Sequence, residues 1–375
     1  PALLGSEYFQ DDQPVGAADV WRGHAVRALY LAAGAVDVAV DLGDVDLLAA
    51  VERQWTRSVG RRTYITGGMG SRHQDEGFGE DWELPPDRAY CETCAGIASI
   101  MVSWRLYLAT GDVRYPDLIE RTLFNVVATS PRADGRAFFY ANPLQQRVAG
   151  TELPPDEVNP RAEGGVRAPW FEVSCCPTNV ARTLAAWQAY AASVDGDVVT
   201  LLQYAPATLE VALADGGTVG LEVRTDYPRG GVVEVAVTHA PSREVSLRFR
   251  VPAWAEGATL GRAVGPAAAV APGWAVVPGV AAGDVVRLTL PVAPRLTWPD
   301  PRIDALRGTV AVERGPLVLC LESRALGDGA DLSAVRLHVG RPVEADDDGA
   351  LVTVDALATS DAVPAGPPFG SRPPR

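Results

Sequence analysis

Up to about Ser193, apolar residues recur at helical spacing. AADVWRGHAVRALYLAAGA places Val20, His24, Ala28 and Leu31 on one face, and VDLLAAVERQWTRSV repeats the pattern. From about Arg88 to Thr110, Ile97, Ile100, Met101, Trp104 and Leu108 form a single stripe. YPDLIERTLFNVVAT and CPTNVARTLAAWQAYAASV are further helical runs. The connections 58–87 and 128–173 are long, and long loops on a helical scaffold usually carry function. Beyond residue 194 the period falls to two. EVSLRFRVPAW alternates Val245, Leu247, Phe249 and Val251 with polar residues, and GGVVEVAVTHA, DVVRLTLPV and GTVAVERGPLVLCLE read the same way. The expected fold is mixed: helices first, then antiparallel sheet in a sandwich. The expected boundaries are a helical unit at 1–194, a β-sandwich at 195–300, strands of a second sandwich at 301–360, and a disordered tail at 361–375. No internal repeat of fixed period is visible.

Composition narrows the class. The 375 residues are 47% hydrophobic, enough for two or three packed domains. No run of roughly 18 apolar residues predicts a membrane span. No basic-then-apolar leader opens the chain, so a cytoplasmic location is the expectation. The chain begins at Pro1 rather than Met, which leaves room for a missing start. A net charge of −14 without a basic patch makes nucleic acid and anionic membrane poor partners. Every basic residue is arginine or histidine, so a pyridoxal Schiff base and a phosphate-loop lysine are both excluded. TGGMGSR (66–72) is therefore read as a turn.

The five cysteines change the picture. Cys91, Cys94, Cys175 and Cys176 form two close pairs far apart in sequence, a spacing that suggests a metal site or a redox pair. Cys320 sits in the apolar run VLCLES and reads as a small core residue. Pro177 suits the first turn of a helix, so Cys175 and Cys176 stand at a helix start, where the partial positive charge favours thiolate. Two adjacent thiolates repel unless a cation joins them, and Zn2+ is the common answer. Cys91-x-x-Cys94 with the 175–176 pair reads as a four-cysteine structural site. If the helix starts at 88, Glu92 stands about 200° from Cys94 and Cys91 shares its face. The fourth ligand stays open between Cys91 and Glu92. Four buried reduced cysteines, or a dithiol redox protein, are the competing readings, although no βαβ pattern surrounds the CxxC.

SRHQDEGFGEDWELPPDRAY is dense in carboxylates, most of which are expected to be solvated. Asp87, after two prolines, is the expected helix N-cap. Glu76, flanked by glycine and Phe78, is the one expected to be partly buried. An apolar setting keeps a carboxyl protonated, which glycosidic cleavage requires of its acid. His239 and His338 are expected at the surface; His73 is read either as a loop residue or as a pocket member, and Trp82 either as a sugar-stacking platform or as a loop plug.

TGGMGSRHQDEGFGEDWELPPDRAYCETCA, then FFYANPL, then CCPTNVART resemble glycoside hydrolase family 127, the β-L-arabinofuranosidases. RGHAVRALYLAAG near the start and ERGPLVLCLE near the end resemble it too, in order over nearly the whole chain. The resemblance implies a zinc-dependent retaining glycosidase acting on non-reducing-end β-L-arabinofuranosides or similar sugars. It implies an (α/α)6 barrel followed by β-sandwich domains. Carried over residue by residue, it makes Cys175 the nucleophile and Glu76 the acid/base. It makes Glu92, Cys94, Cys175 and Cys176 the zinc ligands, and His24 and Tyr140 sugar contacts. It therefore favours Glu92 over Cys91. One departure stands out: family barrels have more helices before the GHAVRA motif, so 1–194 reads as the C-terminal half of a barrel. That implies a missing N-terminal portion or a homo-oligomer besides the carbohydrate partner. The alternative is a non-catalytic carbohydrate-binding or structural protein with a four-cysteine zinc site.

Overall fold

The computed structural model describes residues 5–146, 157–160, 165–214, 216–326, 332, 335–346 and 349–355. The expected tail at 361–375 and part of the 128–173 connection lie outside them. The helices among the described residues are α1 (Ser6–Phe9), α2 (Ala25–Leu42), α3 (Val45–Arg61), α4 (Thr93–Thr110), α5 (Arg114–Thr122) and α6 (Cys175–Ala185). None is long and apolar enough to cross a membrane.

The α2–α3 hairpin follows from a Gly-Asp pair. Gly43 ends α2 at φ 65°, a left-handed conformation that costs glycine little, and Asp44 caps α3 by accepting from the Leu47 N–H at 3.0 Å. The buried face of α2 is rich in alanine: Ala25, Ala28, Leu29, Ala32, Ala33, Val36 and Ala39. These small side chains seat it against α4, whose Ala95 and Ala98 belong to the same core. Two sequence expectations shift here. Leu31 and Leu108 are exposed, because each faces away from that alanine-lined contact. The α4 helix starts at Thr93 rather than near Arg88, with Glu92, not Asp87, at the N-cap position.

The β region holds two principal sheets. One has four strands in the order β1-β2-β6-β9: Ala192–Asp195, Val198–Leu201, Val245–Val251 and Gly273–Val280. The other has six in the order β3-β4-β5-β10-β7-β8: Ala207–Ala212, Thr218–Thr225, Val232–His239, Val285–Thr289, Thr259–Arg262 and Ala268–Ala269. Their inner faces share one core, with Val199, Leu247 and Phe249 meeting Leu221, Val235 and Val286. The alternation read from 245–251 is thus the burial alternation of β6. One pairing departs from the antiparallel expectation: β2 and β6 run parallel. The chain leaves the first sheet after β2, builds β3 to β5 in the second, and returns in the same direction. A smaller sheet, β11-β12-β13 (Pro294–Thr297, Ala311–Arg314, Leu317–Leu319), follows. Cys320, expected in the core, lies just past β13 and is exposed.

A buried charge network joins the helices to the sandwich. Arg250 of β6 is fully buried and reaches Asp117 at 2.6 Å and Glu120 at 2.5 Å, both on α5. The Tyr227 hydroxyl donates to Glu120 at 2.6 Å, and the Arg250 Nε donates to the Leu202 carbonyl at 2.6 Å. Past α5 the chain makes a π-helical turn, Leu123–Val127. There Asn125 donates to the Pro316 carbonyl at 2.9 Å and accepts from the Val318 N–H at 2.8 Å, docking β13. Removing one member of a buried ion network strands its partner, which costs about 3–5 kcal/mol. Glu120→Ala is therefore expected to lower unfolding free energy by that amount in urea titration. Adding Arg250→Met should recover a large part of it, and a double variant no more stable than the single would contradict this reading.

Candidate active site

The segment before α4 is shaped by a single backbone reversal. Cys91 sits at φ 39° and Glu92 at φ −55°, ψ 136°, so their side chains leave in different directions. Cys91 packs with Tyr64, Leu84, Ala89 and Ile303, under Gly68; a Cβ built at Gly68 would lie 2.8 Å from its sulfur. Asn142 pins this turn by donating to the Cys91 carbonyl at 2.7 Å and to Thr93 Oγ1 at 3.0 Å. The Thr93 N–H donates to the Tyr140 carbonyl at 3.0 Å, and Glu92 pairs with Ala141. The FFYANPL stretch thereby holds Tyr140 beside the start of α4.

The second segment arrives at the start of α6. Cys175 and Cys176 are its first two residues; Cys176 is fully buried and Cys175 reaches solvent. Cys175 Sγ lies 3.3 Å from Glu92 Oε1, 3.5 Å from Tyr140 Oη and 3.9 Å from Cys176 Sγ. Cys94 Sγ lies 3.5 Å from Cys176 Sγ. One ligand atom from each of Glu92, Cys94, Cys175 and Cys176 lies within 4.8 Å of every other. Cys91 is not among them.

Without a cation this cluster accepts little negative charge. Cys175 carries it: hydrogen bonds from Cys176 and Cys94, then from Tyr140, pull its thiol far below the ordinary value. The same hydrogen bond to Cys175 pushes Cys94 and Cys176 up. Burial, then the charges of Cys175 and Glu76, hold the Glu92 carboxyl well above the usual carboxylate range. Burial likewise raises Tyr140. One thiol favoured as an anion among three neighbours held towards their neutral forms is a donor set that could hold a metal ion.

Glu76 stands across from the thiols. It is buried and sits at φ 54°, a left-handed conformation uncommon for a non-glycine residue. Backbone pairing fixes it there: the Ala25 N–H donates to the Glu76 carbonyl at 3.0 Å and the Phe78 N–H to the Gly23 carbonyl at 2.9 Å. His24, at the N-cap of α2, places Nε2 3.4 Å from Glu76 Oε2. Atoms of His24, Glu76 and Glu92 also lie within 4.8 Å of one another. His24 Nδ1 and Glu92 Oε2 are buried without a hydrogen-bond partner among the described residues, a state that native proteins reserve for ligands or water. Burial, then the charges of Glu92 and Glu76, push the neighbouring Tyr90 phenol up.

The structure thus gathers Glu76, Glu92, Cys94, Cys175, Cys176, His24 and Tyr140 around one point. His73 stacks edge-on against Tyr90, with ring centroids 5.0 Å apart, on the flank of this group. Trp82 is covered by the Arg302 guanidinium at 3.8 Å and lines a separate cleft of about 960 Å3 with Ser71, His73, Gln145 and Asp304. None of the cluster side chains line that cleft. His239 is half-buried and His338 exposed, and they pair with Glu210 and Asp355. Asn142, Asn179 and Tyr90 lie inside or beside the motif stretches, yet nothing in their spacing separates an anchoring side chain from an ordinary loop or helix-surface one.

This chain belongs to glycoside hydrolase family 127. Residues 3–189 match the β-L-arabinofuranosidase GH127 catalytic domain, 198–292 the GH127 middle domain, and 294–364 the family's C-terminal domain. It is 34% identical over 339 residues to a non-reducing end β-L-arabinofuranosidase of Bifidobacterium longum subsp. longum, covering 89% of this chain and 50% of that protein. A GH127 β-L-arabinofuranosidase from Geobacillus stearothermophilus T6 superposes with a TM-score of 0.83 at 30% identity, over 100% of this chain and 60% of that one. A second GH127 β-arabinofuranosidase gives 0.82 at 31% identity, over 96% and 57%. The chain therefore spans between half and two thirds of the length of these relatives.

The thiol pattern yields a direct expectation for the protein stripped of divalent cations. Iodoacetamide should alkylate Cys175 at pH 6 within a few-fold of its rate at pH 8. A thiol of ordinary pKa would slow by about 80-fold over that interval. Peptide mass spectrometry reads the site, and buried Cys91 and Cys176 should lag far behind.

Proposed function

We propose that the chain carries the catalytic centre of a zinc-dependent retaining glycoside hydrolase acting on non-reducing-end β-L-arabinofuranosides or similar sugars. The observation that carries this reading is the meeting of three sulfurs and one carboxylate oxygen, with Glu76 and His24 facing them. In this reading residues 1–194 are the C-terminal half of an (α/α)6 barrel. Residues 195–300 are a β-sandwich, and 301–360 supply strands of a second.

Zinc fits the donor set. Zinc–sulfur bonds of about 2.3 Å and zinc–oxygen bonds of about 2.0–2.2 Å give tetrahedral edges of about 3.5–3.8 Å. The separations of 3.3, 3.5 and 3.9 Å bracket those edges. Soft thiolates with one carboxylate also suit zinc better than calcium or magnesium. When bound, zinc supplies the positive charge that lets these acidic donors ionise together and steadies the Cys175 sulfur as a thiolate, both before attack and on departure.

The chain's own residues do the rest. Cys175, the one thiol of the cluster open to solvent, attacks the anomeric carbon as a thiolate, forming a C–S bond while the C–O bond to the leaving group breaks. Glu76 gives its proton to the departing oxygen. Glu76, now a carboxylate, takes a proton from water as that water attacks the same carbon. The C–S bond breaks, its electron pair returns to Cys175, and two inversions leave the configuration retained. His24 and Tyr140 contact the sugar and fix its anomeric carbon in line with the sulfur; Tyr140 Oη, 3.5 Å from Cys175 Sγ, also steadies the thiolate.

The test is hydrolysis of aryl and alkyl β-L-arabinofuranosides. Cys175→Ser should abolish turnover of both. Glu76→Gln should lower kcat/KM on the order of 100-fold to 10,000-fold with an alkyl leaving group, and far less with a nitrophenyl one that needs no proton, because kcat/KM ends at C–O cleavage and leaves out the base step that both substrates share. Equal losses on the two substrates would contradict the acid role. Undiminished turnover by Cys175→Ser would contradict the thiolate mechanism.

A further inference from the structure

The cluster is braced from outside by an amide. Asn179 lies on α6 four residues after Cys175 and three after Cys176, so it shares their helix face. Its Nδ2 reaches across to α4 and donates to Cys94 Sγ at 2.9 Å. Its Oδ1 accepts from Arg182 Nε at 2.6 Å and from the Tyr30 hydroxyl at 3.3 Å. A guanidinium only donates, so the Arg182 bond fixes which end of the amide faces the sulfur. Arg182 is held in turn, its Nη2 donating to Tyr30 Oη at 2.6 Å. The chain Tyr30–Arg182–Asn179–Cys94 thus links α2, α6 and α4 and ends on a cysteine that is 1% exposed.

Resting on the zinc reading above, we propose that Asn179 is a positioning residue for the metal: it aims Cys94 Sγ into the cluster and tunes its donor strength through an N–H···S hydrogen bond, with Arg182 and Tyr30 locking the amide. Two consequences follow. A thiolate that accepts a hydrogen bond is a weaker electron donor to a metal than a bare one. A sulfur tied to α6 also stays in place when the metal leaves, so Cys94 and the 175–176 pair remain a preformed site. Partners of this outer kind usually govern metal affinity by 10-fold to 100-fold.

The experiment replaces the native metal by Co2+ in the full chain and follows the sulfur-to-cobalt charge-transfer band. The parent chain, Asn179→Leu, Asn179→Ala and Arg182→Ala are titrated, with thermal melts of each metal-free protein. Asn179→Leu keeps the volume and so guards against a misfolded alanine variant. The expected result for both Asn179 variants is a Co2+ dissociation constant raised on the order of 10-fold to 100-fold, because losing the preformed position of Cys94 outweighs the stronger donation of an unbonded thiolate. The band should move to longer wavelength, since sulfur electrons lose the stabilising proton, and the metal-free melting temperature should stay near that of the parent. Arg182→Ala should move the band the same way by less. Parent-like affinity and band position in both Asn179 variants overturn the proposal while leaving the metal reading intact. A weaker affinity with an unmoved band overturns it too, because Asn179 would then only pack. A parent chain that binds no Co2+ through sulfur overturns the proposal together with the metal reading.

Discussion

The mutual approach of four acidic side chains is the constraint on which the site rests. Three thiols and a carboxyl within 4.8 Å repel once ionised, and a fold that gathers them must offset that repulsion. Two devices are visible. Both α4 and α6 point their N-terminal ends at the cluster, with Glu92 at the N-cap position of one and Cys175 opening the other. Each end presents a partial positive charge where negative charge gathers. The second device is protonation: in the cation-free state only Cys175 is favoured as an anion, and its neighbours serve as its hydrogen-bond donors. A bound divalent cation would replace those protons.

Holding two helix starts in register requires the rest of the fold. The α2 helix packs on α4 through alanines, and α6 packs on the other flank of α4. Through Arg250, Asp117 and Glu120, the β-sandwich grips α5, which itself packs on α4. The sandwich is therefore more than an appended module. Its β6 strand supplies a buried cation that fixes the helix next to the one bearing Glu92 and Cys94. Glu76 is set by a separate path, the backbone pairing of 71–78 with Gly23 and Ala25, which also places His24.

The helical and strand regions were legible because their apolar periods of 3.6 and 2 are strong over long runs. Where the reading slipped, tertiary contacts decided. The start of α4 moved from 88 to 93 because residues 90–93 bond to 140–142 instead of continuing a helix. That shift decides between Cys91 and Glu92: with a helix through 88–94 the thiol faces the cluster, but with Cys91 at φ 39° the carboxylate does. A left-handed residue that is not glycine leaves no mark in sequence. The parallel β2–β6 pair and the exposed Cys320 depend on chain routing, which local alternation does not encode. The cysteines and Glu76 were legible in short motifs and Glu92, His24 and Tyr140 only through the family resemblance, whereas Asn142 and Asn179, which hold those motifs in place, look like any loop or helix-surface amide.

The most direct measurement is zinc-edge X-ray absorption on the purified chain. The account requires a single zinc environment of three sulfurs at about 2.3 Å and one oxygen at about 2.0–2.2 Å. Four sulfurs in the first coordination sphere would bring Cys91 back in place of Glu92, and a spectrum of only nitrogen and oxygen scatterers would contradict the cluster as the metal site altogether.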